Sequence, residues 1–283
     1  MTSRLDVRML REQEASETIE HLKRETLSNL FLLDLVARRS APTPPGEMPT
    51  EIAVATRGGV LVGVAALRPT IVFDAAMTPE VVTAFLPLLN SMRVGLVKCG
   101  ATVVDALWHE LCGARGRRAI VDRYETAFAL RLSDAHLVKL RGGREARSAR
   151  DGDLEPLVFA ARESLREEGR PDPFAGDIAS FRNWVQGRVG RARVVTAGGD
   201  VLFVGYGDVR RSDGWLLQGI YTWPHARRQG FAAEGTSDLC ERAFEAGASH
   251  VQLAVVEGNQ GAKALYEGLG FKPFSRLRTI LFH

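Results

Sequence analysis

Residues 215–233, WLLQGIYTWPHARRQGFAA, constrain the fold of this chain more than any other stretch. Positions 215–222 are apolar, with aromatic and β-branched members, the pattern of a strand buried on both faces, and Pro224 ends the run. A basic turn follows through Arg227, Arg228, Gln229 and Gly230, and from about residue 233 to 246 the apolar spacing turns helical through Leu239, Ala243 and Phe244. A strand, a glycine-containing turn and a helix are therefore predicted in direct succession. Small residues at Gly230 and Ala232 let a ligand approach the backbone, and the free N–H groups of a first helical turn attract an anion. The ligand that fits is a phosphate or pyrophosphate.

Two common phosphate cradles are excluded. A P-loop requires Gly-Lys followed by Ser or Thr, and a dinucleotide fold requires three spaced glycines and a later acidic residue; neither pattern is present. The spacing of Arg227, Gly230 and Ala232 instead resembles the acetyl-CoA pyrophosphate loop of the GCN5-related N-acetyltransferases (GNAT). A second block agrees: a strand predicted over 250–256 is followed by Asn259, Ala262, Leu265, Tyr266, Gly270 and Phe271, an order similar to that family's last helix. Read without the family, Gly230 also suits a tight turn, Asn259 an N-cap and Tyr266 an apolar helical face.

At 283 residues, two domains are the expectation, and the apolar and charged fractions are those of a folded globular protein. Elements predicted over residues 4–132 make one complete α/β unit, with strands near 4–10, 51–56, 60–67, 70–73, 94–97 and 124–132 and helices over 12–38, 79–89 and 102–112. The charged, glycine-paired stretch 133–143 reads as a linker, and 144–283 as a second unit containing every strand and helix it needs, down to a last strand at 276–282. Asp151 and Asp153 sit where a helix cap belongs. The predicted fold class is α/β with a mixed sheet: two GNAT-like domains in tandem, a degenerate one at 1–134 and a donor-binding one at 135–283. The Gly/Arg-rich turn 113–118 lies between helix and strand, the wrong order for a cradle.

Composition excludes other classes. The formal charge of +3 is too small, and too little interleaved with aromatics, for a nucleic-acid surface. No apolar run has the length that spans a bilayer, and the N-terminus lacks a signal-peptide core, so a cytoplasmic protein is expected. Cys99, Cys112 and Cys240 are scattered without metal spacing and read as buried thiols.

The resemblance implies direct transfer of an acetyl group from acetyl-CoA to an amine, with no metal and no covalent enzyme intermediate. It implies that backbone groups of Ile220, Tyr221 and Thr222 pair with the pantetheine arm, and that N–H groups from Arg227 or Arg228 through Gln229, Gly230, Phe231 and Ala232 hold the pyrophosphate. It further implies that Asn259 bonds the pantetheine and that Tyr266 protonates the leaving thiolate. An alkyl ammonium must lose a proton before it attacks. Gln218 stands where a glutamate would be most useful, which leaves the base unassigned: Glu257 is the best-positioned carboxylate, with Glu168 and His225 behind it, each of which also reads as a surface residue, and the amine can also arrive neutral. Acidic Glu167, Glu168 and Asp172 border the expected acceptor pocket. The acceptor, a small-molecule or protein amine, stays open, as does homodimer formation. The alternative function is an acyl-CoA-binding regulatory or interaction module with little turnover.

Overall fold

The computed structural model describes residues 4–113 and 116–283; part of the 113–118 turn lies outside the described residues. The N-terminal half runs β1 (Leu5–Met9), α1 (Ala15–Leu22), α2 (Thr26–Arg38), β2 (Glu51–Arg57), β3 (Val60–Arg68), β4 (Val72–Phe73), α3 (Pro79–Ala84), α4 (Leu86–Leu89), β5 (Gly95–Gly100), α5 (Ala101–Gly113) and β6 (Ala119–Leu130). The C-terminal half repeats the order with β7 (Arg144–Ser148), α6 (Leu154–Glu167), α7 (Ile178–Gln186), β8 (Ala192–Ala197), β9 (Asp200–Arg211), β10 (Gly214–Thr222), α8 (Phe231–Glu245), β11 (Val251–Val256), α9 (Gln260–Gly268) and β12 (Lys272–Phe282). The predicted helix over 79–89 is two short ones, because Pro87 has no N–H to continue the ladder. Cys99 and Cys240 are buried as expected, but Cys112, at the end of α5, is exposed.

The sheets do not divide where the sequence does. One has the order β1-β2-β3-β4 and the other β5-β12-β6-β11-β10-β9-β8-β7, and a parallel bridge between Ile71 and Val97 joins the two. The last strand of each half is thereby exchanged: β12 lies between β5 and β6, while the C-terminal part of β6 pairs with all of β11, Leu130 against Val251 and Glu125 against Val256. Residues 144–283 thus lack one of the strands they need, contrary to the expectation that they hold a complete set. Ile280 and Phe282 are buried in the N-terminal core, and Phe128 and Leu130 in the C-terminal one. Along the seam, buried Glu125 is held by Lys98 Nζ at 2.5 Å, Arg123 Nε at 3.2 Å and Thr279 Oγ1 at 2.8 Å, so β5, β6 and β12 each contribute to it.

In the C-terminal half, α6 and α7 cover one face of the sheet, packing Leu157 and Phe181 on Val204, Tyr206 and Tyr221, and α8 and α9 cover the other, packing Leu239 and Tyr266 on Phe203, Leu217 and Val255. Asp153 caps the short turn that leads into α6: its carboxylate accepts the N–H of Arg150 at 2.9 Å and also takes a two-point bond from Arg147 at 2.6 and 2.8 Å. Among the described residues, no helix is long and apolar enough to cross a membrane.

Among the described residues, the N-terminal half has no comparable strand-turn-helix with free N–H groups at the corresponding place. After the two-residue β4 comes buried Asp74, whose carboxylate accepts from Asn29 Nδ2 at 3.0 Å and from the Ala76 N–H at 3.1 Å, and lies 2.7 Å from His21 Nε2. A buried carboxylate fixed at this turn disfavours an anion there.

Candidate active site

The site begins with a parting of strands. β10 pairs in parallel with β11 only at Trp215↔Val251 and Leu216↔Gln252, although β10 continues to Thr222 and β11 to Val256. On its other edge β10 stays bonded to β9, with one extra residue between Gln218 and Tyr221. That bulge sits at Gly219, whose φ of +57° and lack of space, a Cβ there falling 2.8 Å from the Tyr206 ring, both require glycine. Beyond Leu216 the edge of β10 facing β11 has no ladder partner among the described residues, which leaves backbone groups available to an added strand-like ligand.

The turn at the end of β10 faces this gap. Pro224–Ala226 make a short 3-10 turn, Arg228 takes the left-handed conformation at φ +62°, and Gly230 at φ +94° is the N-cap of the 15-residue α8. The N–H groups of Arg228, Gln229 and Gly230 donate to no backbone carbonyl among the described residues. The helix starts at Phe231, two residues before the spacing predicts, so the N–H groups of Phe231 and Ala232 belong to its first turn.

Two residues that sequence reasoning left in a linker and a strand brace this turn. Arg144 Nη2 and Arg141 Nη1 donate to the Gln229 carbonyl at 3.0 and 3.2 Å. Arg144 Nη1 also pairs with both oxygens of buried Glu234 in the first turn of α8 at 2.8 and 2.9 Å, and its guanidinium stacks on the Phe231 ring at 3.7 Å. Arg141 is exposed, and its Nη2 lies 3.1 Å from where a Cβ on Gly230 would stand. With the partners 85 to 90 residues apart, no local pattern announces the clamp. Arg144→Met leaves Glu234 buried with only Arg141 nearby; loss of one partner from such a pair costs about 3–5 kcal/mol, and the remaining arginine places this case near the lower end. Thermal unfolding of the variant is expected to show it as a clear fall in Tm.

The acetyltransferase (GNAT) family model matches residues 158–271, from α6 past α9 and across the turn just described. The C-terminal half carries a GNAT domain. No curated protein matches the sequence. Among solved structures, a Drosophila protein is similar over 97% of this chain and 98% of its own, at TM-score 0.73 and 15% identity. A GCN5-related N-acetyltransferase from Sphaerobacter thermophilus matches over 98% and 95% (TM-score 0.62, 15% identity), and a tandem GNAT protein from the clavulanic acid biosynthesis pathway over 98% of both chains (TM-score 0.58, 14% identity). The fold of the whole chain is therefore the tandem GNAT fold, and the GNAT domain is that of an acyltransferase.

Within the GNAT domain, Ile220 faces α8 and Tyr221 the α6 side, while Thr222 is half-buried. Asn259 is the N-cap of α9, its Oδ1 accepting from the Ala262 N–H at 3.1 Å, which leaves its amide N–H groups free of that bond. It lines a recess of about 200 Å³ with Val255, Val256, Lys263 and, from the N-terminal half, Thr126 and Phe128. Tyr266 is buried on α9, edge-on to Phe271 at 5.7 Å, and burial, with the nearby Cys240 thiol, pushes its phenol well above the ordinary range.

The carboxylates fall differently from expectation. Glu257 lies in an exposed two-point ion pair with Arg276 at 2.7 and 3.0 Å, which holds its carboxyl below the usual range. A carboxylate so committed is a poor acceptor for an ammonium proton, and the geometry argues against Glu257 as the base. Glu168 is paired with Arg123 at 2.9 Å, and Asp172 accepts from the N–H groups of Phe174 and Gly176. Exposed His225 offers its carbonyl to Gln229 Nε2. Among the described residues, no group of three or more His, Cys, Asp or Glu is placed to hold a metal ion.

Proposed function

We propose that this protein is an N-acetyltransferase that moves the acetyl group of acetyl-CoA to a primary amine by direct attack. The observation that carries this reading is the coincidence of two features: β10 leaves β11 after Leu216, and the opening leads to a turn whose N–H groups at Arg228, Gln229 and Gly230 have no backbone partner among the described residues. An extended pantetheine amide chain suits the first and a pyrophosphate the second. In this reading the free edge at Ile220, Tyr221 and Thr222 bonds the pantetheine. N–H groups from Arg228 to Ala232 hold the pyrophosphate, joined by the exposed Arg141 guanidinium, and the free amide N–H of Asn259 faces the arm.

In this reading Tyr266 gives its phenol proton to the departing thiolate. Burial raises that phenol's pKa and so makes it a weaker donor, which leaves its placement on α9, and not its acidity, as the support for the role.

The test is calorimetric titration of the full chain with acetyl-CoA, followed by amine-dependent thiol release. One binding event per chain and release with at least one amine are expected. Tyr266→Phe should bind acetyl-CoA as the parent does and turn over at least tenfold more slowly. Full activity in that variant would remove its acid role. Binding without release by any amine would favour an acyl-CoA-binding module, and a folded chain that binds no acetyl-CoA would overturn both.

A further inference from the structure

The N-terminal half reaches across to the GNAT domain through the proline-rich loop 40–49, SAPTPPGEMP. Prolines at 42, 44, 45 and 49 leave this loop few conformations to lose on docking. The Glu47 N–H donates to the Pro44 carbonyl at 3.1 Å, with Pro45 and left-handed Gly46 at φ +74° between them, the arrangement of a type II turn. That turn sits directly on α7. A Cβ on Gly46 would stand 2.7 Å from Trp184 Cα, and a Cβ on Gly187, which follows the last residue of α7, would stand 2.6 Å from the Pro45 carbonyl oxygen. Backbone therefore meets backbone at two points, and each side needs a glycine there.

Beside the turn, charge ties the loop to the segment that follows α7. The Glu47 carboxylate pairs with Arg191 and lies 3.8 Å from Arg38 Nη1 on α2. Arg191 also reaches Asp208 on β9 at 3.7 Å, and Arg188 pairs with the same Asp208 carboxylate at 2.5 Å. The ends of α7 are suited to hinges. Ala175 and Gly176 before it are both left-handed, at φ +52° and +90°, and Gly187 follows it. Within its own half α7 packs on α6, and it buries Phe181 and Val185 beneath it.

We propose that the loop is a latch: α7 opens off the sheet as a unit, and the N-terminal half controls that opening through the Pro45–Gly46 turn and the Glu47–Arg191 pair. Opening uncovers the seat of Phe181 on Val204 and Tyr206, on the face of the sheet opposite α8, and leaves the turn at Gly230 as it is. A half without a donor cradle thereby governs a motion of the half that has one.

The experiment is hydrogen exchange on the full chain, followed in the peptides that cover α7 and α8. Gly46→Ala and Gly187→Ala each force loop and helix apart, one from either side, and Glu47→Gln removes the ion pair while keeping the shape of the side chain. Exchange in α7 is expected to rise about tenfold or more in each glycine variant and about threefold or more in Glu47→Gln, with α8 as slow as in the parent. Because both glycines serve one contact, the double variant should exchange within about twofold of the faster single one. Protection of α7 equal to the parent's in all variants overturns the latch. So does faster exchange of α7 and α8 together, which means that the chain opens globally and α7 does not move as a unit. A double variant in which the two effects multiply assigns the glycines to separate contacts and overturns it as well. Where a glycine variant fails to fold, Glu47→Gln decides alone.

Discussion

Produced separately, residues 1–134 and 135–283 are expected to be unfolded or aggregated, while the full chain unfolds as one unit. Each half lacks a strand that the other supplies. Without β12, the first half loses the strand between β5 and β6 and with it Ile280 and Phe282, both buried in its core. Without β6, the second half loses Phe128 and Leu130, and β12 loses both of the strands it pairs with among the described residues, β5 and β6. Two fully buried side chains contribute about 3–6 kcal/mol on the scale of about 1.5–3 each. A domain has only about 5–15 kcal/mol in total. Lost ladder bonds and newly exposed strand edges add to the deficit and invite aggregation. Circular dichroism and size exclusion of each half, alone and after joint refolding, check this: the mixture should give a folded one-to-one complex. A cooperative thermal transition from either half alone would show that it closes its own sheet.

What was legible in the sequence was what is local. The strand-turn-helix order around Gly230 follows from Pro224, the glycine and the change of apolar period, and the N-cap at Asn259 from its place before α9. Strand existence was legible too, since the β-branched and apolar residues of 276–282 after Pro273 mark a strand. Its neighbours were not, because composition says nothing about which edge is paired. The bulge at Gly219 adds one residue to β10 and so decides that Tyr221, and not its neighbour, turns its side chain to α6. The Arg141 and Arg144 clamp and the Glu257–Arg276 pair are long-range or cross-strand contacts, invisible to periodicity. Asp153 caps a backbone N–H, as its residue type and place suggest, but its two charge-assisted bonds from Arg147 follow from a neighbouring strand that the cap pattern does not announce.

The second large effect is expected at Gly230. Gly230→Glu should lose acetyl-CoA binding by at least about 100-fold, equivalent to about 2.7 kcal/mol, while the chain stays folded. Any side chain at φ +94° carries a backbone cost of about 1–2 kcal/mol, and its Cβ would press on Arg141 Nη2 at 3.1 Å, the flexible end of an exposed side chain that can move aside. The fold therefore tolerates the change. The carboxylate, however, reaches into the place where N–H groups and the α8 N-terminus attract an anion, and it takes up the Arg141 guanidinium that would otherwise meet phosphate. Gly230→Ala separates the two effects, since it brings the same backbone cost and the same Cβ without the charge. Calorimetry on both variants should give alanine a modest loss of affinity and glutamate nearly complete loss, with thermal shifts alike. Equal, parent-like affinity in both would mean that the donor's phosphates do not lie on this turn. Equal and severe loss in both would mean that close backbone approach at Gly230, and not charge, governs binding.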